Sequence, residues 1–377
     1  MSKEAKTVIF TANRGYALTS SRTLLIEYFL SSGWNVVLAT ADDEESRFLC
    51  DKGAVLEPIV FNRGGFSPLT DLKAYHRLHA VYKKWRPALI QHFHAKPIIL
   101  GSLAARRSLD DSVRVVNTIT GLGHAFITGN IIARLAGMGY GLARSRTDMT
   151  IFQNRDDLAL FVQKGWVDQE KARLIPGSGV DVDRFAMMDR QGRDEQAPVV
   201  VMLGRLLRQK GIPEFVEVAR RIRTEWPQAE FLLAGEEDPV HPDAVTLQWL
   251  EEQKSVQYLG RLSDVLPLLD KADILLFPSY YREGLPRVIL EAAATGLPTV
   301  AFDVPGVREA VQDGDTGYLV EYRDIDALTQ KVRELLGDVE KRLEMGGRAR
   351  NMVEKEFDIR AIQERYLGLY RELGIEI

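Results

Sequence analysis

Two glutamates, Glu283 and Glu291, flank the first turns of a predicted helix in the stretch Phe277–Glu291. The apolar run before this stretch predicts a buried strand, and Pro286 marks where the helix begins. Two turns of helix separate the carboxylates, so they can contact different parts of one bound molecule. The amides of a helix N-terminus favour an anion, and Gly284 lets it approach closely. We therefore expect a ligand that combines phosphate with hydroxyl groups.

A second group of charged residues follows the predicted strand Val199–Leu203, in the loop 204–211. Three cations lie in this loop between two glycines. Arg205 offers a planar pair of N–H donors and Lys210 a mobile point charge, a combination suited to a diphosphate. The carboxyl ends of parallel strands meet at one edge of a sheet, so we expect this loop to share a site with Glu283.

Strands and helices alternate along the whole chain, which predicts an α/β fold with doubly wound parallel sheets. The first unit is the strand Thr7–Thr11, the helix Ser20–Ser32 and the strand Trp34–Ala39. Its turn, 12–19, places Arg14 and Gly15 at a ligand-binding edge. Further strands are predicted at Ala54–Phe61, Ala88–Phe93, Arg114–Thr118, Met149–Gln153, Ala172–Ile175, Glu230–Ala234, Val256–Tyr258, Ile274–Phe277, Thr299–Phe302 and Gly317–Val320.

The length of 377 residues predicts two domains rather than one. A polar run from Asp189 to Gln196 has no apolar period and is typical of an interdomain linker. We expect an N-terminal domain at 1–190, a second domain at 191–357 and a C-terminal helix at 358–377.

Composition excludes several classes of protein. The single cysteine, Cys50, rules out an intramolecular disulfide and a Cys-based zinc site, and favours a reducing compartment. No apolar run approaches the roughly 18 residues of a membrane-spanning helix, so we expect a soluble or peripheral protein. Neither half has the interleaved basic and aromatic residues of a nucleic-acid binder.

Charge is distributed unevenly, although the net charge is only −4. Residues 1–190 carry 25 Lys and Arg against 19 Asp and Glu, whereas the remainder carries 24 against 34. Two interpretations stay open: scattered surface charge, or a basic N-terminal domain that faces anionic lipid or a diphosphate.

Three polar residues of the first half stand near predicted strand ends or helix starts. Arg22 lies near the first turn of its helix, where a cation is unfavourable for the helix dipole; it is either a surface charge or a contact for an anion. His94 and Lys96 directly follow the strand Ala88–Phe93 and so belong to the ligand-binding edge.

A glycine-containing loop completes this edge. Gly121 and Gly123 allow close approach to the backbone, and His124 stands beside them. His92 and His94 would point to the same face if their strand persists, and together with His124 they could suggest a metal. No nearby carboxylate completes a ligand set, so we expect no metal.

The loop 204–211 and the Glu-X7-Glu pair, followed by Ala-X-X-X-Gly-Leu-Pro-Thr-Val at 292–300, resemble the retaining glycosyltransferases of family 4. The resemblance covers essentially the whole chain. It implies the GT-B fold, in which two doubly wound Rossmann-like domains face each other across a cleft. In that fold the N-terminal domain binds the acceptor, the second domain binds a nucleotide-sugar donor, and the last helix crosses back to the first domain.

The resemblance also implies roles for single residues. Arg205 and Lys210 hold the donor diphosphate, Glu291 the ribose hydroxyls, and Glu283 faces the donor sugar. His124 either orients the donor sugar or the acceptor hydroxyl, or is an ordinary loop histidine. Transfer retains the anomeric configuration and requires no metal, since cations and the helix N-terminus stabilise the leaving diphosphate. The implied donor site is formed by Arg205, Lys210, Arg261, Glu283, Gly284, Leu285, Glu291 and Gly15.

Within the family, Arg22 and the stretches 92–97 and 117–126 resemble the bacterial branch that extends lipid-linked glycans. This implies a UDP-sugar that donates a hexose or N-acetylhexosamine, with GalNAc or GlcNAc the best guess. The acceptor would be a sugar on undecaprenyl diphosphate, in the assembly of O-antigen, capsule or glycoprotein glycan. The protein would be cytoplasmic and peripheral on the anionic inner face of the membrane. The implied acceptor site is formed by Arg14, Arg22, His94, Lys96, Gly121 and Gly123.

Three alternatives stay open. A non-hydrolysing UDP-sugar 2-epimerase has the same two domains but depends on additional catalytic carboxylates and histidines. A glycosyltransferase of this family could instead act on a soluble acceptor. A catalytically silent nucleotide-sugar-binding subunit is the third, and the presence of Arg205, Lys210, Glu283 and Glu291 speaks against it.

Overall fold

The protein divides into two compact units in this computed structural model, which describes residues 5–62, 67–123, 126, 131–193, 197–239 and 241–377. The first unit comprises Met1–Ser178 and Arg360–Ile377, and the second comprises Gly179–Ile359. The division therefore lies between residues 178 and 179, earlier than the boundary at residue 190 that we predicted. Val180, Val182 and Phe185 are buried in the core of the second unit. The polar run that we interpreted as a linker thus begins within this unit.

The first unit is built on a parallel sheet of seven described strands in the order β3-β2-β1-β4-β5-β6-β7. Its central strands are buried along their whole length, which explains their nearly continuous apolar sequence. The strands are β1 Thr7–Thr11, β2 Asn35–Thr40, β3 Val55–Pro58, β4 Leu89–Phe93, β5 Arg114–Ile119, β6 Met149–Phe152 and β7 Ala172–Leu174. The helices are α1 Tyr16–Ser31, α2 Glu44–Asp51, α3 Pro68–Trp85, α4 Ala95–Ser108, α5 Ile131–Ala143 and α6 Arg155–Gln163.

The second unit contains a parallel sheet of six described strands in the order β10-β9-β8-β11-β12-β13. Buried clusters of apolar side chains line the two faces of this sheet. The strands are β8 Val199–Leu203, β9 Glu230–Ala234, β10 Gln257–Tyr258, β11 Ile274–Phe277, β12 Thr299–Phe302 and β13 Gly317–Val320. The helices are α7 Ile212–Ile222, α8 Leu247–Glu251, α9 Leu266–Lys271, α10 Arg287–Ala294, α11 Ile325–Leu336, α12 Val339–Glu356 and α13 Ile359–Glu372.

In each sheet the strand order reverses at one point, between β1 and β4 in the first and between β8 and β11 in the second. Ligands of open α/β sheets bind at such reversals, beyond the carboxyl ends of the strands. The second reversal lies between the loop 204–211 and the loop 278–286. Both charged loops singled out from the sequence therefore lie at one edge of one sheet.

The last helix, α13, belongs for nearly all of its length to the first unit. Ile362, Tyr366 and Tyr370 are buried in the same apolar cluster as residues of α1 and β1. The hydroxyl of Tyr370 donates a hydrogen bond to Oε1 of Gln91 on β4, at 2.8 Å. A search of the described residues finds no helix both long and apolar enough to cross a membrane.

Candidate active site

Lys210 and Glu283 form an ion pair at the carboxyl-end edge of the second sheet. Lys210 ends a short 3-10 helix after β8, and Glu283 precedes α10. The aliphatic stem of Lys210 is largely buried, and its ammonium lies 5.2 Å from the centre of the Tyr281 ring. Because the stem is buried and the ammonium is paired with Glu283, the positive charge is positioned more firmly than that of an exposed lysine.

Arg205 lies in the same loop and is held by a residue that we did not predict. Its Nη1 donates a hydrogen bond to Oδ2 of Asp238, at 3.0 Å, in the segment that follows β9. The guanidinium lies 5.6 Å from the centre of the Tyr281 ring. Tyr281 is therefore within 6 Å of both cations, and the two cations are brought together as the sequence predicted.

Glu291 is only 9% exposed and lies just over one turn into the neighbouring helix, α10, which begins at Arg287. Its Oε1 accepts a hydrogen bond from Nη2 of Arg287, at 2.7 Å. A buried carboxylate of this kind is costly unless it is paired. Arg287 therefore stabilises and orients this carboxylate.

Glycines allow the loops at this edge to come into close backbone contact. A Cβ on Gly235 would lie 1.7 Å from the carbonyl oxygen of Gly204, so the loops after β8 and β9 can only meet through glycine. Gly306 has a φ of 86°, and a Cβ there would lie 2.5 Å from the carbonyl oxygen of Gly284. The backbone path of Gly284 thus depends on a glycine 22 residues later.

The two remaining predicted donor residues of this unit, Arg261 and Leu285, differ in exposure. Arg261 is exposed, and its Nη1 lies 3.8 Å from Oε1 of Glu236. Leu285 is buried in the apolar core beside α10, so its backbone rather than its side chain is placed for a ligand. The geometry of the edge supplies two cations, two carboxylates and a helix N-terminus, which suits a ligand with a diphosphate and sugar hydroxyls.

In the first unit, Gly15 packs against the start of α2. Its amide donates a hydrogen bond to Oδ2 of Asp43, at 2.9 Å, and a Cβ on Gly15 would lie 2.2 Å from Oδ1. The helix α1 begins at Tyr16 rather than at Ser20 as expected, so the turn is shorter than predicted. Arg14 is exposed at this turn.

Arg22 is buried, with 4% of its surface exposed. Its guanidinium lies 4.9 Å from the ring centre of Phe93 and 4.8 Å from that of Tyr366. Nη2 also donates a hydrogen bond to the hydroxyl of Tyr366, at 3.1 Å. Arg22 therefore joins α1 to β4 and α13, and its predicted contact with the acceptor stays a prediction.

His92 lies in the interior, within a network of buried polar groups. Its Nε2 is 2.8 Å from the hydroxyl of Tyr82, and its Nδ1 is 2.8 Å from Oδ1 of Asn117. Gly101 leaves room for the ring, since a Cβ there would lie 2.3 Å from Nε2. Burial lowers the pKa of His92 to about 4, against the opposing effect of the Asn117 hydrogen bond.

The predicted acceptor residues after β4 and β5 occupy distinctive backbone positions. His94 adopts a φ of 71°, which is unusual for a residue with a side chain, and it precedes α4. Lys96 donates a hydrogen bond to Oδ1 of Asp71, at 2.7 Å. Gly121 and Gly123 have φ values of 106° and 66°, which favour glycine, and close approach of a ligand to them stays a prediction. His124 lies outside the described residues.

Sequence reasoning missed three carboxylates that hold predicted site residues. Each lies far in the sequence from the residue that it holds. Its position near a helix N-terminus or after a strand was the one sequence signal that could have pointed to it. Asp43 begins α2 as its cap, and Asp238 follows β9. The three residues are Asp43, Asp71 and Asp238.

Comparison with known families matches both parts of the chain. The profile of the family described as "Glycosyl transferases group 1" matches residues 183–352. The profile described as "Glycosyl transferase 4-like" matches residues 7–154. The two profiles together cover most of the sequence.

Two curated relatives are enzymes. The chain is 27% identical to the N,N'-diacetylbacillosaminyl-diphospho-undecaprenol alpha-1,3-N-acetylgalactosaminyltransferase of Campylobacter jejuni subsp. jejuni, across 96% of this chain and 97% of that protein. It is 26% identical to the UDP-Gal:alpha-D-GlcNAc-diphosphoundecaprenol alpha-1,3-galactosyltransferase of Escherichia coli, across 82% of this chain and 81% of that protein.

Solved structures share the fold across nearly the whole length. Sucrose-phosphate synthase from Thermosynechococcus elongatus superposes with a TM-score of 0.79 at 21% identity, covering 98% of this chain and 99% of that one. HepE of Anabaena in complex with UDP gives 0.78 at 19% identity, covering 97% and 100%. The matched profiles and the shared two-sheet architecture show that the chain is an enzyme that belongs to the family-4 glycosyltransferases of GT-B fold.

Proposed function

We propose that this enzyme transfers a hexose or N-acetylhexosamine from a UDP-sugar to a sugar on undecaprenyl diphosphate, with retention of configuration, in bacterial surface glycan assembly. The observation that carries the donor half of the proposal is the ion pair of Lys210 with Glu283 beside Arg205, at the edge where the second sheet reverses. A diphosphate placed there meets both cations, and the attached sugar meets Glu283.

The proposed chemistry is the same-face transfer that the family resemblance implies. The bond between the sugar C1 and the diphosphate oxygen breaks while the acceptor hydroxyl oxygen bonds to C1 from the same face. The leaving phosphate takes the acceptor's proton. Negative charge that develops on the diphosphate is stabilised by Arg205, Lys210 and the N-terminus of α10, so the transfer needs no metal.

Glu291 and Arg261 are assigned to the nucleoside part of the donor. The carboxylate of Glu291 is oriented by Arg287 and can accept hydrogen bonds from the ribose hydroxyls. The UDP complex of the similarly folded HepE supports the choice of a uridine diphosphate.

The acceptor half is assigned to the first unit, at the reversal between β1 and β4. Arg14, His94, Gly121 and Gly123 follow strands of this sheet, and Lys96 lies in the first turn of α4, after β4. The names of the Campylobacter and Escherichia relatives, both of which act on undecaprenol-linked diphospho-sugars, support this acceptor class and N-acetylgalactosamine or a related sugar as donor. With such an acceptor, the enzyme would act at the inner face of the cell membrane.

The test is a reaction with a panel of UDP-sugars and a short-chain polyprenyl-diphosphate sugar, with a soluble sugar as the second acceptor. We expect a product one sugar heavier, with the anomeric configuration of the donor retained by NMR. Transfer only to the soluble sugar would contradict the lipid-linked acceptor. An epimerised UDP-sugar formed without any acceptor would contradict transferase activity and identify a 2-epimerase.

A further inference from the structure

The helix α5 of the first unit buries small residues and exposes large apolar ones. Its buried face consists mainly of small residues, Ala133, Gly137 and Ala143, besides Tyr140. The large apolar side chains point to solvent instead. They are Ile131, Leu135, Met138 and Leu142, which are 71%, 43%, 66% and 59% exposed.

The small residues are required by close neighbours. A Cβ on Gly137 would lie 2.2 Å from the ring of Trp166, and one on Gly139 would lie 2.8 Å from Cδ1 of Ile99. The helix therefore packs closely against its own unit. There is no room on the buried side for the large side chains, so they stay exposed. The spacing of four, three and four residues places these side chains on one stripe along the helix.

The surroundings of the stripe are basic. Residues 112–147 contain no Asp or Glu. Arg134 is exposed beside the stripe. At the end of the helix, Arg106 donates a hydrogen bond to the hydroxyl of Ser145, and the exposed Arg144 lies 3.5 Å from Asp168, the acid at that end.

We infer that this stripe, Ile131, Leu135, Met138 and Leu142, is the surface by which the enzyme lies on anionic lipid. An apolar stripe flanked by arginines matches an anionic bilayer surface, where the apolar side chains enter the headgroup boundary and the cations meet lipid phosphates. The described helix, 13 residues, is about 20 Å long, shorter than a hydrocarbon core of about 30 Å, and we place it in the plane of the surface.

This inference deepens the proposed function and rests on it, because the lipid-linked acceptor is the reason for the enzyme to be at a membrane. The assay is co-sedimentation of the full chain with vesicles, without donor or acceptor, so its failure leaves the transferase proposal untouched. The vesicles contain phosphatidylglycerol and phosphatidylcholine, or phosphatidylcholine alone. We expect binding to the anionic vesicles at low salt. An unbound wild-type protein would overturn the inference.

The decisive variant is Leu135→Ser with Met138→Ser. Loss of two inserted side chains should lower the partition coefficient at least about tenfold. Arg134→Gln should lower it a few-fold at low salt, with the difference erased near 0.5 M salt. The matched control is Phe48→Ser, which removes an exposed apolar side chain beside Asp51 and should change nothing.

Unchanged vesicle binding by the double variant would overturn the inference. So would a double variant that altered only self-association in sedimentation velocity, since the stripe would then bind a second copy of the chain.

A second measurement does not require the serine variant to fold. In a Cys50→Ser background, Met138→Cys carries an environment-sensitive fluorophore, and Phe48→Cys carries it as the control. The emission of the Met138→Cys label should shift to the blue on anionic vesicles while the control stays constant. Equal spectra with and without vesicles at Met138→Cys would contradict the proposed surface.

Discussion

The ammonium of Lys210 donates a hydrogen bond to Oε1 of Glu283, although 73 residues separate them in the sequence. Their loops follow β8 and β11, which are neighbours in the sheet. The pair thus marks the point where the second sheet reverses, and it places one positive and one negative group within reach of the same ligand.

Lys210→Ala and Glu283→Ala should each lower kcat by about 100-fold or more, because each removes a charge that faces the reacting part of the donor. Both variants should keep the circular dichroism spectrum of the wild type. Lys331→Ala, which removes a partly exposed lysine paired with Glu334, is the control and should retain full activity. Wild-type turnover in both site variants would contradict the assignment.

Asp238→Ala should weaken binding of UDP by about three- to tenfold. Asp238 accepts a hydrogen bond from Nη1 of Arg205 and so orients the guanidinium, which can offer further N–H groups to phosphate. Isothermal titration calorimetry measures the affinity. Tighter binding in the variant would mean that Asp238 competes with the diphosphate instead of orienting Arg205.

Glu291→Ala should raise the dissociation constant of UDP itself by about tenfold or more, since hydrogen bonds of a charged group to ribose are lost. The control is Glu225→Ala, an exposed carboxylate that pairs with Arg333, and its affinity for UDP should equal that of the wild type. Equal affinities of Glu291→Ala and the wild type would remove the ribose role.

Gly306→Ala should destabilise the second unit and reduce transfer, because the new methyl group would collide with the carbonyl oxygen of Gly284 at a positive φ. We expect a loss of about 1–3 kcal/mol in the free energy of unfolding. Gly347→Ala, on the helix α12, would place its Cβ more than 4 Å from every described atom beyond the adjacent backbone of that helix, and should instead be neutral or stabilising. Equal stability of the two variants would contradict the close contact at Gly306.

The free energy of unfolding should fall as the pH falls from about 6.5 towards 4. Burial lowers the pKa of His92 to about 4 in the folded protein, so the unfolded chain binds more protons in this range. Each pH unit contributes at most about 1.4 kcal/mol. Chemical denaturation of the wild type and of His92→Gln at several pH values gives the two slopes. Parallel slopes would show that His92 does not carry this dependence.

The sequence predicted strand positions well where an apolar run ends at a turn residue. The bounds of β1, β8 and β11 agree with the expected ranges. The start of α1 was missed because residues 16–19 show no helical apolar period; its first turn instead begins at Gly15, whose amide Asp43 holds. The apolar pattern of the sequence cannot predict such a contact, because the contact depends on where the fold places α2 relative to Gly15.

The positions of the two donor loops were easier to predict than the surroundings of Arg22, for a similar reason. Lys210 and Glu283 follow strands, and topology alone brings the ends of β8 and β11 together. Arg22 stands on a helix, and its exposure depends on what covers that helix. The aromatic residue Tyr366, 344 positions later, covers it, and the sequence around Arg22 carries no sign of this.

The return of α13 to the first unit sets the order in which the two cores can be completed during synthesis. The second unit consists of one continuous segment, 179–359, so every residue of its core has left the ribosome before the last helix does. The first unit must wait for Tyr366 and Tyr370, and until then the apolar surface around Phe29 and Trp34 stays uncovered. The segment that is second in the sequence can therefore be the first to finish folding.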